Sequence, residues 1–329
     1  MSAAPSDSFH RKIDYLRLSI TDRCNLRCLY CMPEEGVTKF QHSQILSYEE
    51  IVRLARICIS MGISKVRITG GEPLARKEAL ELCKAIAGVS GLEGLSLTTN
   101  GVLLCDFAEE LFRAGIRRVN ISLDTLKPAR FLQITRRDLF ERVWAGIMAA
   151  QQAGFSTVKI NTVVMAGIND DEIEDLARLT FRYALHVRFI EFMPFAEHER
   201  RTRFFSASQI LERLRPLGSL EASNAVEADG PALHYAFKGA LGKIGIISAV
   251  SNHFCSSCNR LRLTADGKLK TCLFSADETD LRLMLRTGAK DCEIAAAILS
   301  AVRKKPERHH LGDPVFRKAI SRPMFSIGG

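Results

Sequence analysis

Six of the ten cysteines in this 329-residue chain form two groups of three: Cys24, Cys28 and Cys31 near the beginning, and Cys255, Cys258 and Cys272 toward the end. The first group, in TDRCNLRCLYCMP, follows directly on an apolar segment. Three thiolates on one short loop can hold three irons of a [4Fe–4S] cube and leave the fourth iron open to chelate a small molecule. Structural zinc is normally closed by four ligands, and this segment offers no obvious fourth. The second group lies in HFCSSCNRLRLTADGKLKTCLF. Zinc is a real alternative there, because CxxC with a distant cysteine suits zinc modules and His253 could supply a fourth ligand. Arg260 and Arg262 stand at alternate positions just after Cys258, so an extended backbone puts both on one side. Paired guanidiniums beside a metal suit an anionic ligand such as phosphate, with surface salt bridges as the plainer alternative.

Weaker signals lie between the two groups. Gly70-Gly71-Glu72-Pro73 can be an ordinary turn, or a place where the absence of side chains lets backbone approach a ligand. Thr98-Thr99-Asn100-Gly101 and the Asn120–Asp124 stretch NISLD put polar residues at strand ends, where capping would also place them. Cys58, Cys83, Cys105 and Cys292 sit in helical or helix-flanking apolar stretches and are expected to be buried small hydrophobes. His309, His310 and the basic run 200–203 are expected at the surface.

The elements that must position these residues follow from periodicity. Strands are expected over 15–20, 65–69, 94–99, 118–123, 157–163 and 186–192, with helices over 48–61, 76–87, 108–114, 140–153 and 171–184. Repeated βα units imply a parallel sheet with right-handed crossovers, and six units fall short of the eight of a closed barrel. The expected fold is therefore α/β, an incomplete, open TIM-type (β/α)6 barrel with ligands at the strand C-terminal ends. After a polar stretch over 200–239 come short strands near 245–250 and 260–263 and helices over 280–286 and 291–304. A boundary near residue 225 divides the barrel (1–225) from a smaller C-terminal α+β domain (226–329) that carries the second cysteine group and closes the open side. A composition 47% hydrophobic and 25% charged fits a globular chain with a sizeable core. No apolar run reaches the roughly 18 residues of a membrane span, and the start lacks a signal-peptide core, so a cytoplasmic protein away from membranes is expected. Ten cysteines in that compartment point to metal or redox chemistry rather than disulfides. The net charge of +9 suits either a solvated basic surface or binding of polyanions.

The CxxxCxxC loop after an N-terminal strand, with Tyr30 before its last cysteine, resembles the radical S-adenosylmethionine (SAM) superfamily. With CNRLRLTADGKLK around the second group, RITGGEPLAR, TTNG, NISLDTL, VKINTV, RFIEFMP, EADGPA and the terminal IGG, the chain resembles the GTP 3′,8-cyclase family from about Tyr15 to its end. The resemblance implies two [4Fe–4S] clusters, one on Cys24, Cys28 and Cys31 that binds SAM, and one on Cys255, Cys258 and Cys272 that meets the guanine of GTP. It assigns Tyr30, Gly70, Gly71, Glu72, Ser122 and Met193 to the SAM site. It assigns Arg17, Arg67, Thr98, Lys159, Arg188, Asn259, Arg260, Leu261 and Arg262 to GTP. Arg17 is also implied to assist quenching of a late radical, and the Gly328-Gly329 tail to reach into the active site.

Several of these cations lie on different strands, and their convergence fits a triphosphate with about four negative charges. The implied reaction is removal of hydrogen from C3′ of GTP by a 5′-deoxyadenosyl radical, followed by C3′–C8 bond formation, the first step of molybdenum cofactor biosynthesis. Implied partners are a reduced flavodoxin- or ferredoxin-type electron donor and a downstream MoaC-type cyclic pyranopterin monophosphate synthase, with a homodimer compatible with the sequence. A radical SAM enzyme acting on RNA or peptide is the competing enzyme reading, and NRLR beside the second cysteine group argues against it. A zinc-bearing nucleic-acid-binding protein would want an aromatic-rich face, yet aromatics make up only 7% of the chain. No nucleic-acid partner is therefore expected.

Overall fold

The six expected barrel strands form, each followed by a helix. In this computed structural model, which describes residues 4–193, 203–223, 230–309, 322 and 324–328, they are β1 (Tyr15–Ser19), β2 (Lys65–Thr69), β3 (Gly94–Thr99), β4 (Arg118–Ser122), β5 (Thr157–Val164) and β6 (Leu185–Glu191). They pair in parallel in chain order. The covering helices are α1 (Tyr48–Ser60), α2 (Ala79–Ala87), α3 (Leu104–Arg113), α4 (Pro128–Thr135), α5 (Phe140–Gln152), α6 (Ile173–Arg182) and α7 (Ala207–Leu214). Because helices pack on the sheet, its strands read as apolar runs: Leu16, Leu18, Ile68, Leu97, Ile121, Ile160 and Phe189 are fully buried in one core. Local signals agree with the tertiary ones, as at the capping box of Ser47 and Glu50 that starts α1.

The later strands lengthen this same sheet at both edges. β7 (Leu220–Ala222), β8 (Leu233–Phe237) and β9 (Lys243–Ile247) join beside β6, while β10 (Arg260–Leu263), β11 (Lys268–Lys270) and β12 (Thr279–Asp280) join beside β1. β9 and β10 continue the parallel run. The barrel stays open between β12 and β7, the two ends of the 12-stranded order. The expected boundary near 225 lies outside the described residues, and β7 and β8 on either side of it are antiparallel neighbours. Helices α8 (Leu281–Arg286), α9 (Asp291–Arg303) and the short α10 (Met324–Ile327) follow among the described residues.

Three helices were not expected: α4, α7 and the short α10 in what reads as a loose tail. α4 begins at Pro128 directly after a loop, and α7 buries only Ile210 and Leu214 within a stretch whose polar composition reads as irregular.

Candidate functional site

The first cysteine loop leaves the C-terminal end of β1 and is fastened by main-chain bonds from Arg27 and Leu29 to Thr135 and Ile134, both 2.9 Å. The Gly70–Gly71 turn that follows β2 runs against the start of this loop. Gly71 N donates to Thr21 O and Glu72 N to Arg23 O, both 2.8 Å. A Cβ on Gly71 would stand 2.4 Å from Arg23 O, so close backbone approach requires glycine there. Glu72 turns away from the cavity and is fully buried. Its carboxylate accepts from Leu74 N (3.0 Å), Thr99 Oγ1 (2.8 Å) and Asn100 N (2.6 Å). Burial raises this carboxyl to about 7 against the lowering effect of those bonds. Glu72 thus positions the turn and does not line the cavity. From the end of β3, Asn100 Nδ2 reaches Cys24 Sγ at 3.6 Å and Asn25 Oδ1 at 2.7 Å.

Tyr30 donates to Asp124 Oδ2 at 2.7 Å. Burial raises the Asp124 carboxyl to about 6. Burial also raises the thiols of the first group: Cys24 and Cys28 go up, and Cys31 is pushed up to about 12. Stable thiolates here call for a metal, because coordination removes the thiol proton outright.

The second group has different neighbours. Cys255 opens a 3-10 turn (Cys255–Ser257), and Arg11 from the N-terminal segment donates to Cys255 O at 2.7 Å. The Arg11 guanidinium also bonds Glu307 O (2.8 Å) and Pro306 O (2.7 Å), tying three distant segments together. Lys305, beyond α9, places its ammonium 3.5 Å from Cys258 Sγ. Burial works to raise the Cys258 thiol, but the Lys305 ammonium and the Arg260 guanidinium outweigh it, and its pKa moves down.

Both cysteine groups line a single cavity of about 310 Å³. Tyr30, Gly70, Gly71, Ser122 and Met193 line it too, as do Arg17, Arg67, Thr98, Arg188, Arg260 and Arg262. Gly245, paired with Arg188 across β6 and β9, leaves room for that arginine: a Cβ there would lie 2.8 Å from Arg188 Cγ. A second, basal cavity of about 220 Å³ shares Tyr15, Arg67 and Arg260 with the first and adds Lys65, Arg118, Lys159 and Asn259.

Arg17, Arg67, Arg260 and Arg262 crowd together with no ion pair to a carboxylate among the described residues, whereas Lys65 pairs with Asp14 at 3.0 Å. Burial lowers Arg17 well below the usual guanidinium range, with Arg262 and Arg67 adding repulsion, and burial lowers Arg262 to about 10. A guanidinium does not give up its proton in such a site, so a bound anion would relieve this repulsion. Arg17 Nε, Arg260 Nε and Thr98 Oγ1 are buried without a hydrogen-bond partner among the described residues. Buried polar atoms are normally paired, so these atoms await a ligand.

Some expected residues fall elsewhere. The Leu261 side chain is fully buried in the core, where it spaces Arg260 and Arg262 onto one face. Asn259 donates to Asp14 Oδ1 at 2.6 Å at the basal cavity. Gly329 lies outside the described residues; Gly328 reaches the site, and its carbonyl accepts from Arg262 Nη1 at 3.3 Å. His309 is not a solvated surface residue: its ring packs edge-on against His253 and Phe274, at 5.0 Å each, on the cavity wall. His310 and 200–202 lie outside the described residues. Cys58 and Cys83 are buried as expected, whereas Cys105 is half-buried and Cys292 is exposed at the start of α9.

Sequence reasoning missed Tyr15, Lys65, Arg118, Asp124 as the partner of Tyr30, and Lys305. Strand alternation was the available signal for Lys65, which shares a face with Arg67. No group of three His, Cys, Asp or Glu among the described residues is gathered to hold a single metal ion. No helix among them is long and apolar enough to cross a membrane.

Known proteins match the chain over nearly its whole length. Residues 18–180 match the radical SAM superfamily, and residues 185–311 match the family described as Molybdenum Cofactor Synthesis C. The GTP 3′,8-cyclase of Heliobacterium modesticaldum is 49% identical over 98% of this chain and 99% of its own. That of Moorella thermoacetica is likewise 49% identical, over 98% and 99%. In structure, SuiB of Streptococcus suis bound to S-adenosylmethionine matches with a TM-score of 0.63 at 13% identity, over 97% of this chain and 78% of that one, a likeness of fold. The chain therefore belongs to the GTP 3′,8-cyclase family of the radical SAM superfamily.

Proposed function

We propose that this chain converts GTP to (8S)-3′,8-cyclo-7,8-dihydroguanosine 5′-triphosphate, the first step of molybdenum cofactor biosynthesis, with SAM and two [4Fe–4S] clusters. Membership of the radical SAM superfamily brings SAM and an iron–sulfur cluster, and its relatives carry the name GTP 3′,8-cyclase. The observation that carries the reading is one cavity lined by both cysteine groups and by Arg17 and Arg260, whose buried Nε donors have no partner among the described residues. When bound, the cofactors supply a one-electron cleavage of SAM that yields a 5′-deoxyadenosyl radical.

The chain's own residues do the rest. Cys24, Cys28 and Cys31 would hold the SAM cluster, with Tyr30, Gly70, Gly71, Ser122 and Met193 shaping the SAM site and Glu72 holding the turn. Cys255, Cys258 and Cys272 would hold the second cluster. Arg17, Arg67, Lys159, Arg188, Arg260 and Arg262 would replace the water of the triphosphate, with Lys65 and Arg118 at the basal cavity as further cations. Holding GTP at the radical's reach converts a collision into an oriented step. Gly328 would border the ribose side of the site beside Arg17 and Arg262. A low-potential flavodoxin or ferredoxin as donor, a downstream synthase as acceptor of the product, and a cytoplasmic setting complete the proposal.

The test is iron and acid-labile sulfide per chain after anaerobic reconstitution, with zinc assayed in the same sample, followed by a GTP assay. About eight iron supports two clusters. About four iron with one zinc would reassign the C-terminal site and with it the substrate.

A further inference from the structure

The second cysteine group is carried by two arms, the turn holding Cys255 and Cys258 and the segment just after β11 holding Cys272. Lys305 stands between them and is only 3% exposed. Its ammonium has three protons and three acceptors: Cys258 Sγ at 3.5 Å, Arg260 O at 3.1 Å, and Thr271 O, the carbonyl directly before Cys272. Among the described residues none of its partners is a carboxylate.

A buried ammonium facing neutral carbonyls is costly unless an anion is close by, and the thiolate is the group placed to supply that charge. Among the described residues no cation bonds a sulfur of the first group: Cys24 Sγ receives the Leu26 amide at 3.4 Å and the Asn100 amide at 3.6 Å, both neutral donors, and Arg27 bonds the Cys24 carbonyl instead, at 2.7 Å.

We propose that Lys305 is a positioning residue for the second cluster, locking the Cys258 and Cys272 arms together and raising the reduction potential of the cluster they hold. The inference rests on the reading that this group binds a [4Fe–4S] cluster. Three thiolates on a [4Fe–4S]2+ core give a net charge of about −1, and entry of one electron from a reductant makes it about −2 with no bond made or broken. A fixed cation beside a ligand sulfur favours the more negative state, and hydrogen bonds to the sulfurs act in the same direction.

The experiment uses the full chain carrying Cys24→Ala, Cys28→Ala and Cys31→Ala, so that signals come from the second group alone. Iron, sulfide and zinc are measured, and the midpoint potential is read by titration with a chemical reductant under electron paramagnetic resonance. In that background Lys305→Met is expected to shift the midpoint to more negative values, and Lys305→Arg to stay near the parent. A fully loaded Lys305→Met variant with the parent's midpoint would overturn the proposal. So would an equal shift in Lys305→Arg, which would point to packing rather than charge. If Lys305→Met loads poorly, Lys305→Arg decides: parent-like loading and potential support the role, and poor loading there removes it. A parent with zinc in place of about four iron overturns the cluster reading itself, and is seen before any lysine variant is read.

Discussion

The two cysteine groups share one cavity and have different surroundings, although burial raises Cys255 of the second group as it raises the first. Around the first stand two buried carboxyls, Glu72 and Asp124, together with the Arg27 guanidinium on the Cys24 carbonyl, and burial pushes all three thiols up. Around the second stand Lys305 and Arg260, which bring Cys258 down despite burial. The same three-cysteine pattern thus has the Asp124 carboxyl on the cavity wall beside one group and the Lys305 and Arg260 cations beside the other. A site that takes the cationic sulfonium and ammonium of SAM suits the first, and one that takes a nucleoside triphosphate suits the second.

The largest expected effect separates the two groups by removing one ligand from each. Cys24→Ala should reduce 5′-deoxyadenosine formation to background, whereas Cys258→Ala should leave some uncoupled SAM cleavage and abolish GTP conversion. Chromatography of both products from one reaction reads this, and equal loss of cleavage in the two variants would break the division of labour. Next, Arg262→Ala should weaken GTP binding by roughly 10–100-fold, the effect of losing a charged hydrogen bond, with SAM affinity unchanged. Isothermal titration against each ligand checks it; parallel losses would mean that the two sites are not distinct.

A smaller effect belongs to the backbone under the first group. Gly71→Ala forces a Cβ against Arg23 O and should cost about 1–3 kcal/mol of stability, the range for overpacking. Iron at the first group should fall while the second keeps its share, measured with thermal unfolding on the same preparation.

The smallest effect is one of pH. Glu72 has a folded pKa of about 7, above its ordinary value, so the folded chain holds this proton after the unfolded chain has lost it. The associated stability is present below the ordinary carboxyl range and is lost as pH rises toward 7. Glu72→Gln should flatten that part of the melting-temperature profile of the metal-free chain. An unchanged slope would assign the pH dependence to other groups.

Much of this was legible before any coordinates. The six barrel strands, the cysteine spacings and the alternation of Arg260 with Arg262 are local patterns, written in neighbouring residues by the two-residue period of a strand. α4 and α7 were not legible, because a helix of eight residues with only two or three of them buried leaves little periodicity to read. His309 read as surface because a His-His pair in a polar tail resembles a solvated run, and only the packing of His253 and Phe274 around it says otherwise.

The sequence by itself determined the chemistry available to this protein: two three-cysteine sets, a supply of cations on several strands, and the barrel order that carries them. Tertiary structure alone decided which charges face which sulfurs. Glu72 looked like a ligand contact and proved to be an internal anchor, while Lys305, 47 residues from Cys258, carried no local signal and became its neighbour. Contacts across such separations arise from β10 pairing beside β1 and from the packing of the chain that follows α9, and no short-range pattern encodes them.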